Sequence, residues 1–528
     1  MTMIAVKGNQ LIGNTESGSD SASFEAFNPK DGQPLPVSFF EATSQQIDAA
    51  IQLAEKAFPA YKGKTNEQRA EFLEQIAEEI LLLGDTLIKR AMLETALPEG
   101  RLTGERGRTM NQLKLFASVV REGSWVDARI DRAIPDRAPV PRQDIRQMLQ
   151  PLGPVGIFGA SNFPLAFSVA GGDTASALAT GCTVVVKGHP AHPGTSELVG
   201  KAILEAARKT KMPEGVFSLV QGRTNEVGAH IVKHPLIQAV GFTGSFKGGK
   251  ALFDMANQRP VSIPVFAEMG SVNPVFVLPE ALSQRGVAIG QGLAASLTLG
   301  VGQFCTCPGL IFLPDSAGKE DLQAGLATAI REGIAGTMLT SGIRKAFTAG
   351  IKVFKNNLNF EMLAVGKTDE TANSVSAHVF GVPYQQFKEN PSFSEEVFGP
   401  SGLLVYTDSK EQLMAAAGNL EGHLTATIHG TPTDLQNHSN LLDILERKVG
   451  RLIINGYPTG VEVCHAMVHG GPFPATTAPQ TTSVGTNAIK RFARPVCYQS
   501  FPNSHLPPAL KEENPLKIWR LTNGEWAK

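Results

Sequence analysis

The stretch Gly153-Pro-Val-Gly-Ile-Phe-Gly159 is a short apolar run bounded by glycines, and it begins the alternation of strands and helices that decides the fold. Helical patterns at 164–180, 194–209, 224–233 and 247–257 separate it from the apolar runs that follow. Buried strands that alternate with helices predict a parallel, Rossmann-like sheet in an α/β protein. Four further runs share this apolar, strand-length character: Thr183-Val-Val-Val-Lys187, Val216-Phe-Ser-Leu-Val220, Ile237-Gln-Ala-Val-Gly-Phe242 and Ser262-Ile-Pro-Val-Phe266.

A second α/β block is predicted from about residue 271 to residue 470. Before the first block, a polar Arg/Gly-rich stretch, 98–108, leads into a predicted helix around 110–121. After the second block, Val496-Cys-Tyr-Gln-Ser-Phe501 predicts an edge strand used in assembly. The strand candidates of the second block are again short apolar runs: Val275-Phe-Val-Leu278, Leu310-Ile-Phe-Leu313, Gly402-Leu-Leu-Val-Tyr406, Thr425-Ala-Thr-Ile428 and Arg451-Leu-Ile-Ile-Asn455.

The composition narrows the class of protein. A chain of 528 residues exceeds what one hydrophobic core usually supports, so at least two domains are expected. The 48 basic and 49 acidic residues give a net charge of -1, which offers no electrostatic footprint for nucleic acid or an anionic membrane. Five cysteines, an odd and sparse number, do not indicate a disulfide framework. No signal peptide or membrane-spanning run is recognised, so a cytoplasmic protein is expected.

The segment Gly302-Gln-Phe-Cys-Thr-Cys-Pro-Gly309 contains the candidate nucleophile, Cys305. A cysteine in a turn at the end of a helix can act as a nucleophile where its thiolate is favoured. Taken alone, a buried structural thiol is the better explanation, because most cysteines do nothing chemical. The spacing of Cys305 and Cys307 also allows a metal interpretation, but two ligands without a nearby histidine or acidic partner predict no metal site.

Two further candidates follow strands of the first block. Glu268 lies just after a strand, where sites form in α/β sheets, and it can act as a general base if burial raises its pKa. The alternative is an ordinary solvated glutamate at a turn. Asn162, in Gly159-Ala-Ser-Asn-Phe-Pro164, can donate from its side-chain amide to a developing oxyanion. Its alternative role is to cap a helix that begins near Pro164.

Two weaker motifs complete the candidate set. Gly241-Phe-Thr-Gly-Ser245 lies between a strand and a helix, where its last two residues can bring backbone N–H groups towards a phosphate. A tight turn is the alternative, since the run does not match the G-x-G-x-x-G fingerprint. Glu395-Glu-Val-Phe-Gly-Pro400 would alone pass as a charged helix end followed by a turn.

Together and in this order, the five segments resemble the aldehyde dehydrogenase superfamily, from about residue 20 to at least residue 502. The resemblance implies an α/β fold with a Rossmann-like cofactor-binding domain, an α/β catalytic domain and a small β oligomerisation flap. Members of this family are dimers or tetramers, so a homodimer or homotetramer is expected. The implied boundaries are 1–132 with 153–268 for the cofactor-binding domain, 269–479 for the catalytic domain, 133–152 with 480–510 for the flap, and 511–528 for a C-terminal extension.

The resemblance also implies a reaction, the NAD(P)-dependent oxidation of an aldehyde to a carboxylate. Cys305 would attack the aldehyde carbon, and the side chain of Asn162 with the backbone N–H of Cys305 would stabilise the thiohemiacetal oxyanion. Transfer of a hydride to the nicotinamide would leave a thioester. Glu268 would activate the water that hydrolyses it.

Five residues would bind the cofactor by the same resemblance. Lys187 would contact the adenosine ribose, and Gly244 and Ser245 would approach the pyrophosphate. Glu396 would hold the nicotinamide ribose, with Phe398 beside the ring.

The sequence around Lys187 bears on the choice of cofactor. NAD-preferring members often place a glutamate three residues after this lysine, but here the run is Lys187-Gly-His-Pro190. The absence of this glutamate removes a negative charge that would repel the 2′-phosphate of NADP. NADP is therefore expected to be accepted and preferred over NAD, with Lys187 as the phosphate partner and Arg223 as a weaker candidate.

The aldehyde is indicated by a closer resemblance, to a subgroup that oxidises 2,5-dioxopentanoate to 2-oxoglutarate and to related NADP-dependent fatty aldehyde dehydrogenases. A distal carboxylate needs a basic residue at the tunnel mouth, and Arg121 is the candidate, with a solvated helix-end arginine as the alternative. Phe163, Phe167 and Thr459 would line the tunnel, although Phe167 could equally be core. Medium- or long-chain aliphatic aldehydes are the alternative substrates. The segments that carry this resemblance are Lys187-Gly-His-Pro-Ala-His-Pro-Gly-Thr-Ser196, Gln303-Phe-Cys-Thr306, His469-Gly-Gly-Pro-Phe-Pro-Ala475 and Arg491-Phe-Ala-Arg-Pro-Val-Cys-Tyr-Gln499.

Three other classes of protein compete with this interpretation. A coenzyme A-acylating dehydrogenase usually lacks an acid at the position of Glu268. A non-catalytic binding protein on the same scaffold is disfavoured by the joint presence of Cys305, Glu268 and Asn162. A cofactor-free cysteine hydrolase needs a histidine paired with the nucleophile. His465 and His469 exist, but nothing in the sequence places them near Cys305.

Overall fold

Short apolar strands and amphipathic helices alternate through residues 5–18 and 22–528, which this computed structural model describes. The strands are β1 (Gln10–Ile12), β2 (Thr15–Ser17), β3 (Ser23–Phe27), β4 (Pro34–Phe40), β5 (Arg129–Asp131), β6 (Ile145–Pro151), β7 (Val155–Phe158), β8 (Val184–Lys187), β9 (Phe217–Val220), β10 (Ala239–Thr243), β11 (Val265–Glu268), β12 (Val275–Val277), β13 (Leu310–Pro314), β14 (Gly336–Thr337), β15 (Glu361–Val365), β16 (Ser374–Val375), β17 (His378–Pro383), β18 (Ser401–Thr407), β19 (His423–His429), β20 (Val449–Ile454), β21 (Ala493–Gln499), β22 (Arg520–Thr522) and β23 (Glu525–Ala527).

The helices cover the faces of the sheets. They are α1 (Ser44–Lys62), α2 (Asn66–Leu82), α3 (Gly84–Thr95), α4 (Glu99–Glu122), α5 (Gly172–Thr180), α6 (Pro193–Lys209), α7 (Asn225–Lys233), α8 (Phe246–Asn257), α9 (Pro279–Thr298), α10 (Lys319–Glu332), α11 (Ser341–Lys355), α12 (Tyr384–Phe387), α13 (Lys410–Asn419), α14 (Pro432–Asn437) and α15 (Ser439–Leu445). Among the described residues, none of these helices is both long and apolar enough to cross a membrane.

The first sheet has the predicted Rossmann-like core. Its strand order is β11-β10-β7-β8-β9-β1-β2, and the five strands from β11 to β9 run parallel. These strands are buried on both faces, which explains why each is a nearly continuous apolar run rather than an alternating one. The α/β class predicted from the sequence is confirmed.

Two helix predictions next to this sheet were wrong in their bounds. The helix predicted at 164–180 begins only at Gly172. The residues before it form a turn instead of a helix. The backbone N–H groups of Leu165 and Ala166 donate to the buried carboxylate of Glu105. The polar stretch 98–108 is not a connection but the first part of α4, which begins at Glu99 with Pro98, a residue without a backbone N–H, as its N-cap.

The second sheet follows directly from the first along the chain. Its order is β15-β17-β18-β13-β12-β19-β20, with β15 alone antiparallel to its neighbour among the described strands. Phe276 and Phe312 stack in its core with ring centroids 5.1 Å apart. The connection from β11 to β12, residues 269–274, places the end of one sheet next to the start of the other.

A third sheet joins distant parts of the chain in the order β21-β6-β5-β22-β23. The predicted edge strand is β21, and it pairs antiparallel with β6 from Ala493 opposite Pro151 to Gln499 opposite Ile145. The sheet also contains β5 and the two strands of the C-terminal segment 511–528, because β22 pairs parallel with β5. The C-terminal segment is therefore part of this sheet, whereas the predicted domain boundaries stay a prediction.

The C-terminal segment should contribute to stability through Ile518, whose side chain is fully buried. Replacing Ile518 with alanine should lower the free energy of unfolding by about 2–5 kcal/mol, because it leaves a cavity next to α4. Trp526→Ala, at a residue of the same segment with 59% exposure, should change it by less than about 0.5 kcal/mol. Urea denaturation followed by fluorescence measures the free energy of unfolding of both variants. Equal values for Ile518→Ala and Trp526→Ala would show that the C-terminal segment does not contribute to the stability of the fold.

Candidate active site

Cys305 follows a strained turn at the end of α9. Gly300, Val301 and Gly302 have φ values of 58°, 61° and 62°, a left-handed run that is costly for a β-branched residue such as Val301. A Cβ atom on Gly302 would lie 2.3 Å from the carbonyl carbon of Gly399, so no larger residue fits there. The turn directs Cys305 towards the junction of the two sheets.

Asn273 fixes the backbone on the other side of this cysteine. Its Nδ2 donates to the carbonyl oxygens of Cys305 and Cys307, both at 2.9 Å, and its Oδ1 accepts from the hydroxyl of Ser271 at 3.0 Å. The side chain of Asn273 is fully buried. The loop that carries the thiol is thus held by an amide from the connection between β11 and β12, a residue that sequence reasoning missed.

A buried histidine lies against the thiol. The Nε2 atom of His469 is 3.4 Å from Sγ of Cys305 and 2.9 Å from Oε1 of Glu268. The backbone N–H of His469 donates to the hydroxyl of Thr482 at 2.8 Å, which positions the residue. No local pattern places His469 here, although it begins one of the segments that carry the family resemblance.

This arrangement removes two arguments made from the sequence. A cofactor-free hydrolase was disfavoured because no histidine could be placed beside Cys305, and His469 is in contact with it. A metal site was excluded because no histidine or acid was expected nearby. That reason was wrong, because ligand atoms of Glu268, Cys305 and His469 lie within 4.8 Å of one another.

Glu268 ends β11 and is buried. Burial disfavours its charged form, but the proximity of His469 and a hydrogen bond from the hydroxyl of Ser483 outweigh burial, so its pKa lies below the usual value. The net raised pKa that the sequence analysis set as the condition for a general base is therefore not found, although burial acts in that direction. The thiol of Cys305 behaves in the opposite way, because burial and the carboxylate of Glu268 raise its pKa well above the usual value.

Asn162 lies beside the same loop. Its side-chain Nδ2 donates to the carbonyl oxygen of Gln303 at 2.9 Å, two residues before Cys305. The alternative role as a helix cap does not apply, because no helix begins at Pro164. One N–H of the amide is used by Gln303, and the second N–H makes no hydrogen bond with a described residue, so it is available to a ligand.

Three aromatic rings form a wall beside Cys305. Phe163 packs against Phe304 with centroids 5.1 Å apart and against Phe167 at 5.3 Å. Phe167 in turn lies 6.2 Å from the ring of His469. Phe167 is 9% exposed, so it belongs to a small core cluster and also faces the histidine.

The two other predicted substrate residues have partners of their own. The hydroxyl of Thr459 donates to the carbonyl oxygen of Ser296 at 3.1 Å, which ties its loop to α9. Arg121 lies at the end of α4, where its Nε and Nη2 donate to Glu67 at 3.0 and 2.9 Å and Nη1 pairs with Glu74. The structure does not bring Arg121 to the aromatic wall, and its donors are already used by carboxylates.

Residues predicted to hold the nicotinamide end of a dinucleotide line one cavity. Glu396 and Phe398 lie there with Ser271 and Cys307. A Cβ atom on Gly270 would lie 2.4 Å from Oε2 of Glu396, so the glycine leaves room for this carboxylate. The cavity thus places a carboxylate and an aromatic ring next to the thiol loop.

Residues predicted for the adenosine and phosphate end lie at the carboxyl ends of the parallel strands. Lys187 ends β8. Burial lowers the pKa of its side chain to about 8, although the negative charge of Glu41 acts to raise it. Ser245 caps α8, and its hydroxyl accepts from the N–H of Gly248 at 3.3 Å. Arg223 is exposed, and its backbone N–H donates to Glu41 at 2.6 Å. A buried lysine and a helix N-terminus suit an anionic ligand.

Comparison with known proteins agrees with this geometry. An alpha-ketoglutaric semialdehyde dehydrogenase of Azospirillum brasilense is 51% identical over 519 residues, which are 98% of this chain and 99% of that protein. An enzyme of the same name from Acinetobacter baylyi is 47% identical over 518 residues, 98% of each chain.

Solved structures show the same fold. The NAD+ complex of an aldehyde dehydrogenase from Bacillus cereus superposes with a TM-score of 0.78 at 23% identity, over 93% of this chain and 96% of that one. The sequence model of the aldehyde dehydrogenase family matches residues 15–472. The chain therefore belongs to the aldehyde dehydrogenase family, as the sequence motifs had predicted.

Proposed function

We propose that this enzyme oxidises 2,5-dioxopentanoate to 2-oxoglutarate through a thioester on Cys305. The observation that carries the reaction is the buried contact of Cys305, His469 and Glu268, next to the amide of Asn162. The substrate is supported by two relatives, named for this semialdehyde, that match almost the whole chain.

The first step is addition of Cys305 to the aldehyde carbon. The pKa of this thiol is raised, so its proton must leave as the C–S bond forms, and it passes to Glu268, which is ionised because its own pKa is lowered. The carbonyl electron pair moves to oxygen, where the free N–H of Asn162 and the backbone N–H of Cys305 stabilise it.

A bound dinucleotide, held by Lys187, Ser245, Glu396 and Phe398, would supply the acceptor for the hydride that leaves the adduct, so that a thioester remains. Glu268, after it has released the thiol proton to solvent, accepts a proton from the water that attacks the thioester carbon. The oxyanion that forms in this second addition occupies the same position, so Asn162 serves twice. Cleavage of the C–S bond releases the carboxylate and restores Cys305.

The residues that would hold the dinucleotide fit an anionic ligand. Lys187 brings a positive charge to the end of β8. Ser245 is the N-cap of the twelve-residue helix α8, whose N-terminus favours an anion. Glu396 and Phe398 would hold the nicotinamide ribose and ring. We infer that NADP is preferred over NAD, with Lys187 and then Arg223 meeting the 2′-phosphate, although the carboxylate of Glu41 lies close to both.

A second substrate class has one observation in its favour. The wall of Phe163, Phe167 and Phe304 also suits an aliphatic chain, as in medium- or long-chain aldehydes. A cofactor-free hydrolase could use the contact of His469 and Cys305, but it would leave Lys187 without a role. The proposed enzyme acts in the cytoplasm as a homodimer or homotetramer, in keeping with its free cysteines and the edge strand β21.

A panel of substrates and cofactors tests this proposal. The kcat/KM for 2,5-dioxopentanoate should exceed the values for succinic semialdehyde, pentanal and decanal, and it should be higher with NADP than with NAD. Arg223→Ala should lower kcat/KM for NADP by about 10-fold, through the loss of one charge-assisted contact, and leave NAD unaffected. Preference for decanal would favour the aliphatic alternative, and a strong NAD preference would contradict the cofactor assignment.

Variants of the thiol and the amide should differ in kind. Cys305→Ala should abolish aldehyde oxidation, whereas Asn162→Ala should retain a remnant, lower by about 10²–10³, because one of two oxyanion donors remains. Cys497→Ala, at an exposed cysteine in β21, is the matched control and should keep full activity. Equal residual activity in the first two variants would refute the assignment of roles.

The pH dependence of the reaction should report the contact between His469 and Glu268. His469 lowers the pKa of Glu268 and burial raises it, so removing the imidazole leaves burial unopposed. Since Glu268 must be ionised, the acid limb of the kcat/KM profile should move to higher pH in His469→Ala. His465→Ala, at an exposed histidine, should leave the limb in place. An unmoved or lowered limb in His469→Ala would disprove the coupling.

A further inference from the structure

We propose that Arg108 binds the distal carboxylate of the substrate and thereby selects oxo acids over uncharged aldehydes of the same length. This inference rests on the proposed function. It concerns a residue of α4 whose guanidinium lies over Phe167 of the aromatic wall described above.

The inner face of α4 carries three charged side chains at successive turns. Arg101, Glu105 and Arg108 follow the spacing that places residues on one side of a helix. Glu105 is fully engaged, because Oε1 accepts from two backbone N–H groups of the turn after Asn162 and Oε2 accepts from Nη1 of Arg101 at 2.5 Å. The charge of Arg101 is thereby balanced.

Arg108 has no such partner among the described residues. Its Nη1 atom is buried and makes no hydrogen bond, and its Nη2 has only the carbonyl oxygen of Val461 at 3.5 Å. A buried cationic donor without an acceptor is costly, and proteins rarely keep one unless a ligand completes it. A carboxylate is the acceptor that matches the fork of a guanidinium.

The position of Arg108 suits the far end of a short substrate. Its guanidinium carbon lies 4.9 Å over the ring of Phe167, and that ring lies 6.2 Å from the ring of His469, which contacts Cys305. From Cys305 outwards, the groups are therefore the thiol, the ring of Phe167 and the guanidinium of Arg108. A molecule with an aldehyde at one end, methylene groups in the middle and a carboxylate at the other end matches it.

Electrostatics agrees with this proximity. Burial lowers the pKa of Arg108, and the negative charges of Glu105 and, more weakly, of Glu268 oppose that shift. The guanidinium therefore lies within electrostatic reach of the carboxylate that takes part in the reaction.

The other arginines near the site are occupied. Arg451 donates from Nη1 to the carbonyl oxygen of Gly460 at 3.0 Å and from Nη2 to that of Pro458 at 2.6 Å, so it holds a loop. Arg101 stacks 4.4 Å over Phe163 while it pairs with Glu105. Arg121, the candidate from the sequence, is bound by two surface glutamates.

The test compares a charged and an uncharged substrate of five carbons. In Arg108→Met, which keeps an apolar stem against Phe167, kcat/KM for 2,5-dioxopentanoate should fall about 10–100-fold, whereas kcat/KM for pentanal should change less than about 3-fold. Arg108→Lys should recover part of the loss, since it keeps the charge without the fork. Arg121→Met is the matched control and should leave both values unchanged.

Binding gives a readout that does not depend on turnover. Isothermal titration of the enzyme with 2-oxoglutarate should show a Kd about 10–100-fold higher in Arg108→Met than in the wild type. An unfolding midpoint equal to that of the wild type would show that the variant is folded. If the midpoint is lower, turnover of pentanal is the control, because it persists when only the carboxylate anchor is lost.

The failures of the two proposals can be told apart. A wild-type enzyme that prefers 2,5-dioxopentanoate, together with an Arg108→Met variant that keeps this preference, would overturn the role of Arg108 alone. A parallel loss for both substrates, or a loss of preference in Arg101→Met instead, would also overturn it. A wild-type enzyme that does not distinguish the two aldehydes would overturn the proposed substrate and this inference together.

Discussion

The site depends on one nitrogen atom, Nε2 of His469, which lies within reach of both the sulfur of Cys305 and the carboxylate of Glu268. Nδ1 of the same ring is buried and has no partner among the described residues. We assign the hydrogen to Nε2, because a protonated Nδ1 would leave a buried donor unpaired. A hydrogen on Nε2 points towards the edge that Glu268 and Cys305 share, 2.9 Å from the carboxylate whose pKa His469 lowers and 3.4 Å from the sulfur.

The fold brings these groups together from three separate segments. Glu268 ends a strand of the first sheet, Cys305 follows a long helix over the second sheet, and His469 lies in an irregular segment after β20. Parallel strands place their carboxyl ends at one edge, so loops with no sequence relation meet there. The irregular segment is held by backbone pairing, including the bridge between Glu268 and Thr476.

Local pattern in the sequence was sufficient for the fold class and the family, and for Cys305, Glu268 and Asn162 as candidates. Apolar runs and turn motifs are local signals, and each of these residues stands in one. The contact between Cys305 and His469 joins residues 164 positions apart, and no periodicity reports it. The family resemblance indicates Arg121 as the carboxylate anchor, but its ion pairs with Glu67 and Glu74 depend on tertiary packing that no local pattern reports. Arg108 stands in the polar stretch before the predicted helix, whereas the structure includes it in α4.

Glu105 has a consequence for how this enzyme can change. One buried carboxylate holds the helix that faces the substrate and, through the N–H groups of Leu165 and Ala166, the turn that presents Asn162. A helix that tilts to admit a bulkier molecule must pull that turn with it. Substrate selectivity and reaction rate are therefore coupled through Glu105. A variant that accepts bulkier substrates would need new contacts for this turn if the amide of Asn162 is to keep its position.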